Sequence, residues 1–132
     1  MKKKELIISI LERIGYTPEI DKDGDIMLPF EMKTIYVMTD DDEEPHIYMI
    51  LPKVYEIEDG QETLALATSN KTTRERKLVK VFVDNTFKKV SAICDFFYVN
   101  EDALEQNLRQ SLDMLGMIRT LYKNDMIELS ED

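Results

Sequence analysis

The order of its periodic segments constrains this chain most: a helix pattern, three closely spaced strands, a second helix, two more strands and a long closing helix. Lys2 to Ile14 sets Ile7, Ile10, Leu11 and Ile14 at helical spacing, and Gly15 follows as a C-terminal stop. Asp21-Lys22-Asp23-Gly24-Asp25 is a turn sequence. After it, Ile26, Leu28 and Phe30 alternate with Met27, Pro29 and Glu31, the period of a strand with one buried face. Thr34 to Thr39 repeats the alternation, and His46 to Leu51 supplies a third strand that Pro52 interrupts.

A turn at Met32-Lys33 sets Phe30 opposite Ile35 and Leu28 opposite Val37, with Met27 opposite Met38 and Pro29 opposite Tyr36. Both strands then agree about their core face. Met-Lys lacks the Gly or Asn that tight primed turns favour, and a four-residue loop keeps the same pairing. Asp59 to about Thr73 reads as the second helix, centred on Leu64, Ala65, Leu66 and Ala67. Val79, Val81 and Val83 alternate with Lys80, Phe82 and Asp84, and a turn through Asn85 to Lys88 leads into a strand from Val90 to Val99. Asn100 is positioned as the N-cap of the last helix, whose stripe is Leu104, Leu108, Leu112, Leu115, Ile118 and Tyr122. Strands grouped between helices predict an α+β fold, and the absence of a repeat or linker predicts one domain over residues 1–132.

Composition removes several functions. A chain of 132 residues buries roughly two thirds of its unfolded surface. With 43% apolar and 33% charged residues it has globular composition, although its formal net charge is -10. A pI near 4.6 disfavours nucleic acid and anionic membranes as partners. The N-terminal lysines precede an apolar run that ends at Leu11 with no cleavage-like site, and no stretch is long enough to insert in a membrane. A single cysteine excludes an internal disulfide. Together these features predict a cytoplasmic protein.

The segment order, together with Ile14-Gly15-Tyr16 and Glu19, the strand after Gly24-Asp25-Ile26, Tyr36-Val37-Met38 before acidic residues, Ile50-Leu51-Pro52, Ala65 to Asn70, and Val79-Lys80-Val81, resembles the YbjN family and the type III secretion chaperone-like fold. The resemblance extends to about Tyr122 and includes no catalytic motif. It implies an antiparallel five-stranded sheet with the terminal helices packed on one face, and a group in which homodimers are common. Family members are linked to sensory or motility regulation in bacteria, and the related secretion chaperones hold protein clients partly unfolded.

No catalytic, cofactor or metal site is legible. Asp21, Asp23 and Asp25 resemble the opening of a calcium loop, but Gly24 is fourth instead of sixth and Met32 replaces the twelfth-position Glu. An ordinary Asp-Gly turn remains. Asp40-Asp41-Asp42-Glu43-Glu44 reads as a solvated loop between strands, and His46 lacks a second imidazole with which to hold zinc. Cys94 lies mid-strand, where a buried thiol serves as a small hydrophobe. Lys71, Arg74, Arg76, Lys77 and Lys80 surround one acid, Glu75, and compensate a helix C-terminus.

The sharper signal is the sheet's second face. Met27, Tyr36, Met38, Tyr48, Phe82 and Phe97 fall on the strand positions alternating with the core set, where a solvated sheet carries more polar residues. Such aromatics and flexible methionines suit an adaptable contact surface, and equally a face that the second helix or irregular segments cover within the monomer. The expected function is therefore a non-enzymatic module binding a protein client or regulatory partner, as a homodimer. The alternative is a small-molecule or metal-ion-sensing domain with a pocket between sheet and helices.

Overall fold

The computed structural model describes residues 2–39 and 44–131. Among them are α1 (Lys3–Arg13), β1 (Glu19–Ile20), β2 (Ile26–Phe30), β3 (Lys33–Met38), β4 (His46–Glu56), α2 (Glu62–Glu75), β5 (Val79–Val83), β6 (Lys89–Phe97) and α3 (Glu101–Ser130). The strands form one antiparallel sheet in the order β1-β2-β3-β4-β6-β5. Ile7, Ile10 and Leu11 of α1 and the Leu104-to-Tyr122 stripe of α3 join Leu28, Val37, Met49, Leu51, Ala92 and Cys94 in one core. The fold is thus α+β, with the terminal helices on one sheet face.

Local chemistry explains the element ends. α1 stops where Gly15, at φ +104°, lets Tyr16 N–H reach the Leu11 carbonyl and Gly15 N–H reach that of Glu12. α3 starts where Asn100 Oδ1 accepts the Ala103 N–H at 2.8 Å. The Asp21 carboxylate accepts the N–H groups of Asp23 and Asp25, both at 2.9 Å, and folds the Asp-Gly segment back on itself. That turn pairs Glu19 and Ile20 with β2, making a sixth strand where five are expected. Two residues are too few to show an alternation.

The first long hairpin differs from expectation by two residues. Phe30 pairs with Lys33, Leu28 with Ile35, Met27 with Tyr36 and Pro29 with Thr34. The turn is Glu31-Met32, and both residues have positive φ, +48° and +67°, the signature of a type I′ turn. A shift of two leaves every side chain on its expected face, because the strand period is two.

Pro52 also fails to end its strand. β4 runs on to Glu56 across an irregularity between Leu51 and Tyr55, where Lys53 takes φ +60°. Within a bulge, a proline need not donate to the ladder. α2 begins at Glu62, and of its expected apolar centre only Ala65 is buried, with Leu64 half-buried and Leu66 and Ala67 exposed. Its packed face is small and polar: Ala65, Thr68, Ser69 and Thr72. One face-adjacent residue closes a sheet edge, since the Thr73 hydroxyl accepts Val81 N–H at 2.8 Å and donates to the Val81 carbonyl at 3.2 Å.

Candidate functional site

Alternation within the strands sends Met27, Tyr36, Met38, Tyr48, Phe82 and Phe97 to the face away from the core. Register then sorts them. Met27, Tyr36, Ile50, Ile93 and Lys80 form one row across β2, β3, β4, β6 and β5, while Met38, Tyr48 and Asp95 form the next. Phe97 stands opposite His46, and Phe82 lies apart, opposite Ser91. Exposure is graded. Phe97 is 65% exposed, Phe82 38% and Met38 37%, whereas Met27, Tyr36 and Tyr48 are half-buried by their lateral neighbours.

No helix among the described residues packs over this face. α3 lies against β4, β5 and β6 on the core side, and α2 packs on α3 and β5. The docking of α2 is polar. Tyr122 Oη donates to the Ala65 carbonyl at 2.9 Å and lies 3.2 Å from Ser69 Oγ. Asp125, buried on α3, accepts from Thr72 Oγ1 at 2.7 Å and from Arg76 Nη2 at 2.9 Å.

His46 and Lys80, which sequence reasoning read separately, meet at Asp95 on the open face. The Asp95 carboxylate takes His46 Nε2 at 2.9 Å on one oxygen and Lys80 Nζ at 2.9 Å on the other. Burial alone would raise the pKa of Asp95, but hydrogen bonds from Lys80 and His46 outweigh it and hold the carboxyl below its ordinary value. The His46 ring lies 4.7 Å from that of Phe97, so the aromatic end of the face adjoins a hydrogen-bonded polar triad. Ile50 and Ile93 complete the apolar row. Their alternation was visible in sequence, but aliphatic residues in a strand carry no mark of which face is uncovered.

The remaining candidates are structural. Cys94 is fully buried, and desolvation pushes its thiol up to about 12, far from the thiolate that a nucleophile needs. Lys71 pairs with Glu75 at 2.6 Å and with Glu128 at 3.7 Å, Arg76 with Asp125 and Lys80 with Asp95, so much of the basic cluster is neutralised within the chain. Residues 40–43 of the acidic run lie outside the described residues. Among those described, no three His, Cys, Asp or Glu side chains are grouped to hold a metal ion, and no helix is long and apolar enough to cross a membrane.

A groove of about 410 Å³ lies where the Glu31-Met32 turn approaches the middle of α3, lined by Phe30, Glu31, Leu112, Asp113, Gly116 and Met117. Phe30 is held there by the ring of Tyr16, 5.5 Å away, and by Gly116, whose missing side chain admits it.

Helices on one face, an open opposite face and this strand order define the YbjN-like and type III secretion chaperone-like α+β fold. A solved structure of YbjN, a candidate transcription regulator from E. coli, matches at TM-score 0.69 with 15% identity over 87% of each chain. A chain of the ExsC–ExsE complex matches at TM-score 0.60 with 17% identity, over 92% of this chain and 97% of that one. An uncharacterised protein from Methanothermobacter thermautotrophicus matches at TM-score 0.53 with 11% identity, over 90% and 98%. These identities establish a shared fold. No protein-family model and no curated protein matches the sequence.

Proposed function

We infer that residues 1–132 form one non-enzymatic, protein-binding domain of the bacterial cytoplasm that engages a client or regulatory partner through the open sheet face. The observation that carries this reading is the apolar character of that face, which no described helix covers and on which Phe97 is 65% exposed. Large apolar side chains grouped in this way favour association once a complementary surface excludes water. The fold it shares with a chain of the ExsC–ExsE complex supports a protein as the partner. The burial of Cys94, which keeps its thiol from serving as a nucleophile, supports a binding role over catalysis.

A second copy of the chain is one partner for this face, and the acidic surface then keeps the dimer soluble and turns away acidic proteins. The test is crosslinking of the tagged full chain in its own cell, beside Phe97→Ser and Tyr36→Glu. Phe97→Ser should leave folding intact because its side chain is mostly exposed. Tyr36 is half-buried, so its variant also reports on the fold. A protein or second copy recovered with the parent and lost from Phe97→Ser supports the reading. Equal recovery with folded Phe97→Ser refutes the open face as the contact.

A further inference from the structure

We propose that the groove between the Glu31-Met32 turn and α3 is a second binding site, for a cationic peptide segment that presents one aliphatic side chain flanked by lysine or arginine. The proposal does not depend on the open sheet face. The groove's floor is apolar, made by Phe30 and Leu112, and its wall is Met117, half exposed at 50%. Gly116 lets Phe30 and Glu31 pack directly on the helix, so that they form the groove's side: a Cβ there would come within 3.0 Å of Phe30 Cε1 and 3.1 Å of Glu31 Oε2. An aliphatic chain therefore finds apolar atoms below and a flexible methionine beside it.

The rim selects the sign of the partner. Glu31 and Asp113 are both exposed at the groove mouth. Glu31 has only a long contact with Lys33, at 3.8 Å, and no basic side chain among the described residues pairs with Asp113. Their fields meet at the adjoining Tyr16. Its phenol is raised above its ordinary value by burial first and then by the charges of Asp113 and Glu31, against an opposing effect of Arg109. A lysine or arginine entering between the two carboxylates makes charge-assisted hydrogen bonds that an acidic or neutral segment cannot make.

Backbone geometry supplies an independent argument. Glu31 and Met32 occupy consecutive left-handed positions, which Asn-Gly fills at less cost. The strain holds Glu31 over Gly116 and leaves Met32 wholly exposed, at 103%. Strain kept at such a position is accounted for if these two side chains are themselves contact residues. Met32 and Met117 then extend the apolar surface on either side of the groove, which suits a peptide better than a compact cation.

The test is a titration of the isotope-labelled full chain with the peptide Gly-Ser-Lys-Leu-Lys-Gly-Ser, followed by amide NMR shifts in 0.15 M salt. Saturable shifts should be confined to residues around Phe30, Glu31, Asp113, Gly116 and Met117. Asp113→Lys should weaken the apparent affinity at least fivefold, and replacing the peptide's leucine by serine or its lysines by glutamate should abolish the shifts. Phe97→Ser should leave the titration unchanged, which separates failure here from failure of the sheet-face reading. Shifts scattered over carboxylates elsewhere, an equal response to the serine peptide, or no saturable shift at millimolar peptide would each overturn the proposal.

Discussion

Tyr122→Phe tests the way α2 is held. The Tyr122 ring is fully buried on α3, 5.8 Å from that of Tyr55, and its hydroxyl binds the Ala65 carbonyl at 2.9 Å and Ser69 Oγ at 3.2 Å. Removing the oxygen keeps the ring packing and deletes both hydrogen bonds, each worth about 1 kcal/mol when buried. Part of that loss is recovered. Ser69 lies four residues after Ala65 in the same helix, so its hydroxyl can turn back to the Ala65 carbonyl. The expected net cost is about 1 kcal/mol, or a Tm lower by roughly 3–5 °C for a domain of this size.

Ser69→Ala should cost about 0.5 kcal/mol, because its bond to Tyr122 is the longer one and the Tyr122–Ala65 bond survives. The double variant should cost about 2 kcal/mol, at least as much as the two singles together, because without the Ser69 hydroxyl the compensating bond to the Ala65 carbonyl cannot form. Urea unfolding followed by circular dichroism gives all three values, with the slope unchanged if only stability moves. A Tyr122→Phe variant as stable as the parent, or a double variant no less stable than Tyr122→Phe alone, would refute the hydrogen-bonded docking of α2.

Three other perturbations probe separate parts of the molecule. Gly116→Ala should lower stability by about 1 kcal/mol in urea unfolding, because displacing Phe30 from contact at 3.0 Å outweighs the helix propensity gained; adding Phe30→Leu should remove the penalty. Replacing Glu31-Met32 by Asn-Gly should raise the thermal midpoint by the equivalent of about 1–2 kcal/mol, since both positions carry positive φ, and no gain would mean that the turn is not type I′. Cys94, with its pKa raised from 9.0 to about 12 by burial, keeps its proton in the folded chain after the unfolded chain has released it. Its contribution is therefore complete below pH 9 and lost between pH 9 and 12, by up to about 1.4 kcal/mol per unit, so Cys94→Ala should flatten alkaline unfolding measured by fluorescence or circular dichroism.

How much of this was legible in the sequence depended on the range of the interaction. The α3 stripe from Leu104 to Tyr122 is buried as its spacing predicts, because a helix of 30 residues repeats its signal many times. Strand faces were equally readable. Even the error in the first hairpin register, Phe30 against Lys33 in place of Ile35, left those faces intact. The turn itself was misplaced because Glu-Met violates the residue preference by which such turns are recognised. Pro52 misled for a related reason: a bulge removes the hydrogen-bonding demand that normally excludes proline.

The candidate surface was only half legible. Alternation named Met27, Tyr36, Met38, Tyr48, Phe82 and Phe97, but their different exposures come from neighbours on other strands. The His46–Asp95–Lys80 triad joins residues 49 and 15 positions apart. No local pattern announces it. α2 was misread for the opposite reason, since Leu64-Ala65-Leu66-Ala67 looks like an apolar core while the packed face uses hydroxyls that find partners on α3.

The closure of the sheet edges bears on how a partner can approach. An extended peptide adds to a sheet through free backbone groups on an edge strand. On β5 the outward N–H and carbonyl of Val81 are already taken by Thr73, and α2 lies alongside. At the other edge, β1 offers two residues, and Pro29 on β2 has no N–H to give. Backbone-directed strand addition is thus disfavoured at both edges. Side chains must do the recognising. The two candidate surfaces differ in chemistry: a broad apolar sheet face with a polar triad at one end, and a narrow groove with an acidic rim. A partner selected by the first is read by shape and burial, and one selected by the second by the sign of its charge. The two interactions need not compete, because the sheet lies between the open face and the helix layer that carries the groove.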